Sequence, residues 1–376
     1  MSDLFVYGTL CDLDLLTVVL GRNVDGSDIA PAQLCDHAVY WAERQNYPLI
    51  TTQADGVAQG ILISNLSIDD LARLDFYEGG FGYSTRITEV LSESKTIPAL
   101  VYFPEPTHTP LGDAWSLADW QRDWGAIARL AATEFMQSFG QADPRSLVPF
   151  FKMMQVRAHA RVIAQNDAKQ RVERGPDKTT VITVDHKRPY SKFFALEEMR
   201  LQHETYQGGM SSVVDRAIFV SGDASIVLPY DPMRDRVLLV EQFRMGLYGR
   251  HDRLPWCLEP IAGRLDAGET PEATAIREAR EEAGIEIKQL HHVASSYSSP
   301  GSTTEVFHIY IGIADLPDDV ERIGGVDDED EDILSRVFDY KELMDMIDKN
   351  QLVALPTLTA SLWLSRNKEK LRASVV

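Results

Sequence analysis

A polar segment near the middle of the chain constrains the fold more than any other feature. Residues 165–178 read QNDAKQRVERGPDK, a charged stretch that ends near a Gly-Pro pair and is typical of a linker. The chain has 376 residues, so the parts on either side are each long enough for a domain with its own core. We therefore predict one domain at residues 1–165, a linker at 166–178 and a second domain at 179–376.

Composition and charge exclude several classes of function. Hydrophobic residues make up 44% and charged residues 25%, as in ordinary globular proteins. The 37 basic and 57 acidic residues give a net charge of −20, which would repel nucleic-acid phosphates and anionic lipids. Cys11, Cys35 and Cys257 are scattered, and neither a targeting segment nor a membrane span is visible. We expect a soluble, cytoplasmic protein that binds neither nucleic acid nor membranes.

Hydrophobic periodicity predicts a different architecture for each half. In the first half we expect strands at 4–7, 57–63 and 99–103, followed by helices at 117–139 and 147–163. In the second half, strands and helices intermix without regular alternation. The expected strands lie at 179–184, 224–228, 237–240 and 306–313, and the expected helices at 271–283, 340–348 and 357–370. This order predicts a mixed α/β fold with helices on both faces of a mixed sheet.

The helix expected at 271–283 has well-specified ends. Thr270 is a good N-cap, Pro271 suits the first helical position, and Gly284 suits the position after the helix. Residues 276, 279 and 283 are apolar and recur at helical spacing, which predicts that they pack inward. Three glutamates are then expected on the opposite face.

These glutamates, Glu278, Glu281 and Glu282, repel one another and need compensation. One interpretation is a solvated acidic face on which Arg277 pairs with Glu281 at i,i+4. The other is a divalent cation, because oxygen-only ligands suit Mg²⁺ or Mn²⁺ and Mg²⁺ commonly bridges to substrate phosphates.

The spacing around the helix favours the cation. Gly263 is followed by Glu269, Arg277-Glu278, Glu281-Glu282 and Gly284-Ile285, which reproduces the pattern Gx5Ex7REUxEExGU, where U is a bulky aliphatic residue. This pattern resembles the signature of Nudix hydrolases, and its one departure is the small Ala279 at the first U position. The resemblance implies an α/β/α sandwich and the metal-dependent hydrolysis of a nucleoside diphosphate linked to another group.

Further segments of residues 178–376 are similar to bacterial ADP-ribose pyrophosphatases. They are SKFF at 191–194, VEQFR at 240–244, LEPIAG at 258–263, SPG at 299–301 and DEDEDI at 328–333. A proline at the distance of Pro300 after the motif is a mark of the members that hydrolyse ADP-ribose. The resemblance implies ADP-ribose as substrate. The nearest alternatives are another nucleotide sugar, such as ADP-glucose or GDP-mannose, and a metabolite-sensing module without turnover.

The same resemblance assigns the metal and catalytic groups. Glu278, Glu282, Glu331 and the carbonyl of Ala262 would hold Mg²⁺, with Glu281 close by. Glu329, in an acidic loop at 325–332, would be the general base that activates the attacking water. The roles of Glu329 and Glu331 could be exchanged, and the acidic run could also serve only solubility.

Four residues are expected to contact the substrate. By resemblance, Arg216 and Arg244 would hold the phosphates and ribose, Phe193 would stack on adenine, and Glu305 would make a polar contact. Without the resemblance, each arginine would be interpreted as a surface ion pair and Phe193 as a core residue.

Assembly is expected to matter for this site. Relatives in the subfamily are dimers in which strands before the Nudix core reach the partner's site, so Phe193 and Arg216 would serve the neighbouring chain. Residues 179–210 are rich in apolar and aromatic side chains that a small domain would struggle to bury alone. We therefore expect a homodimer formed through residues 178–220.

The first domain carries shorter motifs. The segments FVYGTL at 5–10, LDFYEG at 74–79 and YSTR at 83–86 resemble the γ-glutamylcyclotransferase-like family over residues 3–105. The resemblance implies a small β-barrel with a helical extension, in which Tyr7, Gly8, Thr9 and Leu10 bind substrate and Glu78 acts as acid and base. The alternative is a scaffold or ligand sensor. The fusion of the two domains also resembles TrgB-type tellurite-resistance proteins, a description of a phenotype and not of a reaction.

Overall fold

A computed structural model describes residues 2–106, 109–167, 180–316, 318, 322–324 and 332–373. The chain divides into two compact units. The first unit is Met1–Gly175 with Ser191–Phe193, and the second is Pro176–Tyr190 with Phe194–Val376. The predicted linker, residues 166–178, lies outside the described residues except for the two positions that end a helix. The predicted domain bounds stay a prediction.

The first unit is built on a closed barrel of five strands. They are β1 (Ser2–Val6), β2 (Ile29–Ala42), β3 (Pro48–Leu66), β4 (Tyr83–Ser92) and β5 (Lys95–Pro104). The order is β3-β1-β5-β4-β2, and pairing of β2 with β3 closes the barrel, which leaves no free edge among these strands. A short strand, β6 (Leu111–Ala114), adds to β2. Phe5, Leu62 and Val101 lie in the core. The predicted barrel is confirmed.

In the described part of the first unit, five α-helices accompany the barrel. They are α1 (Leu13–Leu20), α2 (Ile68–Gly80), α3 (Leu117–Trp120), α4 (Ala126–Met136) and α5 (Phe151–Asp167). A π-helical turn at Gln121–Gly125 joins α3 to α4. The predicted second helix begins later than expected, because short 3₁₀ turns precede Phe151. Helices α1 and α2 were missed, although Ser67 and Asp70 form a capping box at the start of α2 that marks a helix.

The described residues of the second unit form two sheets. The smaller one has β7 (Val181–Ser191), β8 (Ala195–His203) and β9 (Val214–Val220), in that order. The larger one has β10 (Ala224–Asp231), β11 (Arg236–Phe243), β12 (Trp256–Glu259), β13 (Ile261–Arg264), β14 (Gln289–Tyr297), β15 (Val306–Ile313), β16 (Arg322–Gly324) and β17 (Ile333–Asp339). Its strand order is β14-β15-β10-β11-β17-β16, and in addition β12 pairs with β11 and β13 pairs with β10. The pair β10–β15 is parallel and its neighbours are antiparallel, so the predicted mixed sheet is confirmed.

Helices cover both faces of the larger sheet. They are α7 (Pro271–Ala283) on one face and α8 (Tyr340–Asp348) and α9 (Leu355–Ala373) on the other, whereas α6 (Met245–Gly249) is a short helix without buried residues. Leu228 of β10 packs in a cluster with residues of α8 and α9, whereas its neighbour Val227 packs with Ala279 of α7. Alternate side chains of a strand point to opposite faces, so one strand serves both cores. No helix in the described part of the chain is long and apolar enough to cross a membrane.

Candidate active sites

Helix α7 has the predicted bounds and the predicted caps. The Thr270 side chain accepts a hydrogen bond from the Ala273 backbone N–H, and Pro271 occupies the first turn. Gly284 adopts a left-handed conformation with φ of 62°, which a glycine takes at little cost. The motif is therefore presented on a helix whose ends are fixed by local interactions.

One arginine organises the acidic side chains. Arg277 donates from Nε to Glu269 Oε1 at 3.0 Å, and from Nη1 to Glu278 Oε1 at 2.7 Å and Glu281 Oε2 at 2.9 Å. Its Nη2 donates to the carbonyl of Arg264 at 3.2 Å. The Arg277–Glu281 pair expected for a solvated acidic face is thus present, but as one contact of a larger cluster. This arginine compensates the repulsion among the carboxylates.

The ionisation of this cluster follows from its contacts. Burial opposes the charge on Glu269, but hydrogen bonds from Arg277 and Thr274 outweigh it and hold the pKa of Glu269 below its usual value. Burial likewise opposes the charge on Arg277, yet its hydrogen bond to Glu269 and the field of Glu278 raise its pKa. Both groups are therefore charged at neutral pH. From the sequence, Glu269 had no role of its own, and Arg277 was paired with Glu281 alone.

The position of Glu278 depends on a glycine. Ala262 and Gly263 lie on β13, which pairs with β10 next to α7. A Cβ added to Gly263 would lie 1.8 Å from Glu278 Oε1, so any larger residue would displace that carboxylate. The fixed glycine of the motif therefore makes room for the glutamate.

The buried face of α7 differs from the prediction. Ile276, which was expected to pack inward, is 37% exposed, whereas Glu282 is 1% exposed and lies on the side of Ala279 and Ala283. The cause is the small size of Thr274 and Ala275, which lets that side of the helix approach β10 and β13. Glu282 thus faces the interior, and the expectation that all three glutamates oppose the apolar face was wrong.

The donors near α7 have the chemistry that a hard divalent cation requires. Glu278 and Glu282 supply carboxylates and Ala262 supplies a carbonyl, and oxygen ligands of this kind suit Mg²⁺. Within the described ranges, no group of three or more His, Cys, Asp or Glu side chains lies close enough together to hold a metal ion. The predicted base Glu329 and the predicted ligand Glu331 lie outside the described residues. The described donors therefore fit part of the predicted ligand set.

The predicted substrate contacts have different environments. Arg244 donates from Nε to Glu259 Oε1 at 2.6 Å. Burial raises the pKa of Glu305, whose carboxylate accepts a hydrogen bond from the Ser298 hydroxyl at 3.2 Å. Arg216 is exposed on β9 and donates to the carbonyl of Asp215. Phe193 is 53% exposed and belongs to the first unit, so it is not a core residue.

Two residues beside the predicted contacts were missed. The guanidinium carbon of Arg264 lies 4.6 Å from the centre of the Phe194 ring, at a distance where a cation–π interaction is favourable. The same ring lies 4.5 Å from that of Phe219. Arg264 follows Gly263 directly, and its field lowers the pKa of Glu305 against the effect of burial. The signal for Arg264 was its adjacency to the motif, and the signal for Phe194 was its place in the SKFF segment at 191–194.

We expect Glu269→Gln to weaken Mg²⁺-dependent activity about 10–100-fold, the usual cost of losing a group that orients metal ligands. The reason is that the amide cannot accept both hydrogen bonds from the charged Arg277 side chain. Titrating activity against Mg²⁺ concentration should show a higher requirement for the ion. An unchanged titration would contradict the positioning role, and Glu286→Gln, at an exposed site just after the helix, is the control.

The first unit holds a cavity of about 560 Å³. The loop residues Tyr7, Gly8, Thr9 and Leu10 line it, and so does Glu78 near the end of α2. The structure thus brings together all five residues predicted from the shorter motifs. Such a volume is within the usual range for small-molecule sites.

Burial gives Glu78 an unusual ionisation. Removal from water raises its pKa from 4.5 to about 7, the range in which a carboxyl group exchanges protons readily near neutral pH. The cavity wall around it is fixed by tyrosines. Tyr7 donates to the carbonyl of Tyr102 at 2.8 Å, and Tyr83 donates to the carbonyl of Pro48 at 3.3 Å. The aromatic character of the wall was not predicted.

Each of the two units contains a match to a known protein family. Residues 221–358 match the family model described as the NUDIX domain, and residues 4–122 match the one described as Gamma-glutamyl cyclotransferase, AIG2-like. The chain belongs to the Nudix family, as a hydrolase of pyrophosphate bonds, and also contains an AIG2-like domain.

Curated relatives resemble the part of the chain that contains the Nudix domain. An ADP-ribose pyrophosphatase of Haemophilus influenzae is 37% identical over 187 residues, which are 49% of this chain and 86% of that protein. An ADP-ribose pyrophosphatase of Escherichia coli K12 is 37% identical over 183 residues, which are 49% of this chain and 87% of that protein. A GDP-mannose pyrophosphatase of Klebsiella pneumoniae is 33% identical over 161 residues, or 41% and 80% of the two chains.

Proposed function

We propose that the second unit hydrolyses ADP-ribose to AMP and ribose 5-phosphate. The observation that carries this proposal is the 37% identity to ADP-ribose pyrophosphatases over most of their length, on a unit in which Arg277 gathers the motif carboxylates. Identity to GDP-mannose pyrophosphatases is lower, at 33% and 30%. The positive field of Arg264, which lowers the pKa of Glu305, supports binding of an anionic diphosphate in a protein of net charge −20.

The proposed reaction depends on Mg²⁺. Glu278, Glu282, Glu331 and the Ala262 carbonyl would hold it. A bound ion of this kind neutralises charge on the phosphates and lowers the pKa of a coordinated water. Arg277 keeps Glu278 and Glu281 in place, and Arg244 would hold the phosphates. Glu329 would take the proton of the attacking water while the bridging phosphorus–oxygen bond breaks.

A substrate panel tests this assignment. ADP-ribose, ADP-glucose and GDP-mannose are incubated with the full chain and Mg²⁺, and the nucleotide and sugar phosphate products are separated by chromatography. We expect the largest kcat/KM for ADP-ribose, with AMP and ribose 5-phosphate as products. A larger kcat/KM for GDP-mannose or ADP-glucose would show that ADP-ribose is not the preferred substrate. Release of nucleotide without added Mg²⁺ would contradict the metal requirement.

We further propose a homodimer formed through residues 178–220. Strand β7 leaves Val181, Ile182 and Val184 about half exposed, at 57%, 48% and 50%, and a second copy would cover them. In such a dimer Phe193 and Arg216 would complete the partner's site, which agrees with the exposure of both side chains.

Mixing two inactive variants should then restore activity. We expect Glu282→Gln and Arg216→Ala each to lose activity alone, and the mixed population to recover up to about a quarter of the parental rate. Recovery follows because some dimers combine an intact carboxylate set with a partner's intact arginine. Activity is measured on ADP-ribose after subunit exchange. A chain that sediments as a monomer at micromolar concentration and is fully active would refute the shared site.

The cavity of the first unit supports a second candidate, the cyclisation of γ-glutamyl amines. The α-amino nitrogen of the γ-glutamyl group attacks its own γ-carbonyl carbon, the bond to the amine breaks, and 5-oxoproline forms. Glu78, with a pKa of about 7, would carry protons from the attacking nitrogen to the leaving one. No water, oxidant or reductant is consumed. Release of 5-oxoproline from γ-glutamyl amines tests this activity.

The ionisation of Glu78 predicts a pH-dependent gain of stability in Glu78→Gln. Because the folded state holds this proton more tightly than the unfolded chain, its stabilising contribution is complete below about pH 4.5 and is lost as the pH rises through about 7. Glu78→Gln has no ionisable carboxyl group at this position, so it does not lose this stability as the pH rises. We expect it to exceed the parent in free energy of unfolding by about 1–3 kcal/mol at about pH 8, and to match it at about pH 4.

Thermal unfolding at the two pH values measures this difference. The control is Glu105→Gln, which removes a second cavity carboxylate whose side chain is 65% exposed. Equal curves for Glu78→Gln and the parent at about pH 8 would show that Glu78 ionises normally.

The resemblance to tellurite-resistance proteins supports a further proposal, that the chain contributes to survival in tellurite. Growth of a deletion strain on tellurite, with and without a plasmid that encodes the Glu282→Gln variant, tests it and shows whether the hydrolase is required.

A further inference from the structure

A buried ion pair joins two helices of the first unit. Glu134 lies on α4 and Arg157 on α5, and their side chains are 3% and 1% exposed. Arg157 donates from Nη2 to Glu134 Oε1 at 2.5 Å and from Nε to the same oxygen at 3.2 Å. A buried ion pair commonly stabilises a fold no more than apolar residues of similar volume would, so stability alone does not account for this one.

The remaining donors of Arg157 hold a short segment of backbone. Nη1 donates to the carbonyls of Lys192 and Phe193, each at 3.1 Å, and Nη2 also donates to the Ser191 hydroxyl at 3.3 Å. Ser191 in turn donates to Glu134 Oε1 at 2.5 Å. All three nitrogens of the guanidinium are thus used, an arrangement that suits its planar fork and not the single ammonium group of a lysine.

The segment held in this way stands apart from its neighbours in sequence. Ser191–Phe193 belongs to the first unit, whereas the residues on either side of it belong to the second. Lys192 adds a contact, because its ammonium nitrogen lies 5.8 Å from the centre of the Phe150 ring. Phe193 itself is 53% exposed. The backbone of Phe193 is therefore fixed while its side chain stays open to solvent.

We propose that Arg157, braced by Glu134, is a positioning residue for the hydrolase and holds Phe193 where its ring stacks on the adenine of ADP-ribose. The inference rests on the proposed function, in which Phe193 completes a substrate site. A segment that is ordered before the substrate arrives spares the substrate the entropic cost of ordering it. The first unit then takes part in substrate binding through α4 and α5, whether or not its own cavity is catalytic.

Kinetics of the full chain on ADP-ribose with Mg²⁺ test the positioning. Arg157→Lys keeps a positive charge beside Glu134 and loses the fork that reaches both carbonyls. We expect KM to rise about 5–30-fold, the equivalent of ordering one backbone residue, with kcat unchanged because stacking acts on substrate and transition state alike. Ser191→Ala keeps the ion pair and should raise KM by a smaller factor. It replaces Arg157→Lys if thermal unfolding shows that the lysine variant does not fold.

A double-variant cycle separates positioning from general damage. Phe193→Ala should raise KM by itself, and adding Arg157→Lys should raise it no further, because no ring is left to position. The matched control is Arg129→Lys, since Arg129 of α4 pairs with the buried Asp12 at 2.6 Å and, among the described residues, makes no hydrogen bond or ion pair with Ser191–Phe193. It should keep the parental KM. Equal KM values for Arg157→Lys and Arg129→Lys, or a further rise in the double variant, would refute the positioning role.

Hydrogen exchange measures the anchoring without turnover. The peptide that covers Ser191–Phe193 should exchange faster in Arg157→Lys than in the parent, and at the parental rate in Arg129→Lys. Parental exchange in Arg157→Lys would refute the anchoring. Faster exchange with a parental KM in Arg157→Lys or in Phe193→Ala would refute the role in adenine binding and leave the hydrolase activity standing. A parent chain that does not hydrolyse ADP-ribose would refute the proposed function, and this role with it.

Discussion

Glu282→Gln is expected to abolish measurable Mg²⁺-dependent hydrolysis while leaving the fold intact. The amide has almost the same shape as the carboxylate, which is 1% exposed beside Ala279 and Ala283, but it removes the charge that would hold the ion. The charge stabilisation by such an ion is worth several kcal/mol, so we expect a loss of about 10²-fold or more. The initial rate of AMP release from ADP-ribose at saturating Mg²⁺ measures it.

Glu286→Gln is the matched control for this variant. It makes the same chemical change at an exposed position two residues after Gly284, and it should keep parental activity. Thermal unfolding of both variants shows whether the fold is retained. Parental turnover by Glu282→Gln on every nucleotide diphosphate tested would remove this residue from the metal site.

Glu329→Gln is expected to lower kcat by about 10²–10⁴-fold, the usual contribution of a general base. Its requirement for Mg²⁺ should change little, because the proposed Mg²⁺ ligand in the acidic run at 325–332 is Glu331. The dependence of the rate on Mg²⁺ concentration separates the two effects. If Glu331→Gln shows the loss of kcat and Glu329→Gln shows the raised Mg²⁺ requirement, the two roles are exchanged.

Local signals predicted the parts of the fold that depend on local interactions. The cap at Thr270 and the terminal Gly284 gave the bounds of α7 correctly, since both act through the backbone of their own helix. The mixed sheet followed from the irregular order of strands and helices. Helix α2 was missed because its residues were interpreted as a family motif, although the Ser67–Asp70 capping box marked its start.

Features that depend on tertiary packing were not predictable in the same way. Apolar periodicity placed Ile276 inside, but the fit of α7 against its neighbours buries Glu282 and leaves Ile276 partly exposed. Arg277 also binds Glu269, which comes from the loop before α7. This contact depends on the path of that loop and not on spacing within the helix. Trp124 and Gln155 also line the cavity of the first unit, and their positions depend on how the helices after residue 122 fold back on the barrel of that unit.

The strand order of the barrel also governs how the first unit can form during synthesis. Strand β1, the first of the five barrel strands to leave the ribosome, ends up between β3 and β5, where Leu4 pairs with Ile63 on one side and with Leu100 on the other. Its parallel partner is therefore made last, and contacts so distant in sequence form slowly. Until residue 104 has emerged, β1 lacks one of its two neighbouring strands. The unpaired edge of this hydrophobic strand is then exposed to association with other chains. Co-translational folding of this unit should thus be a late event, and nascent chains that end before β5 are the ones that chaperones should hold.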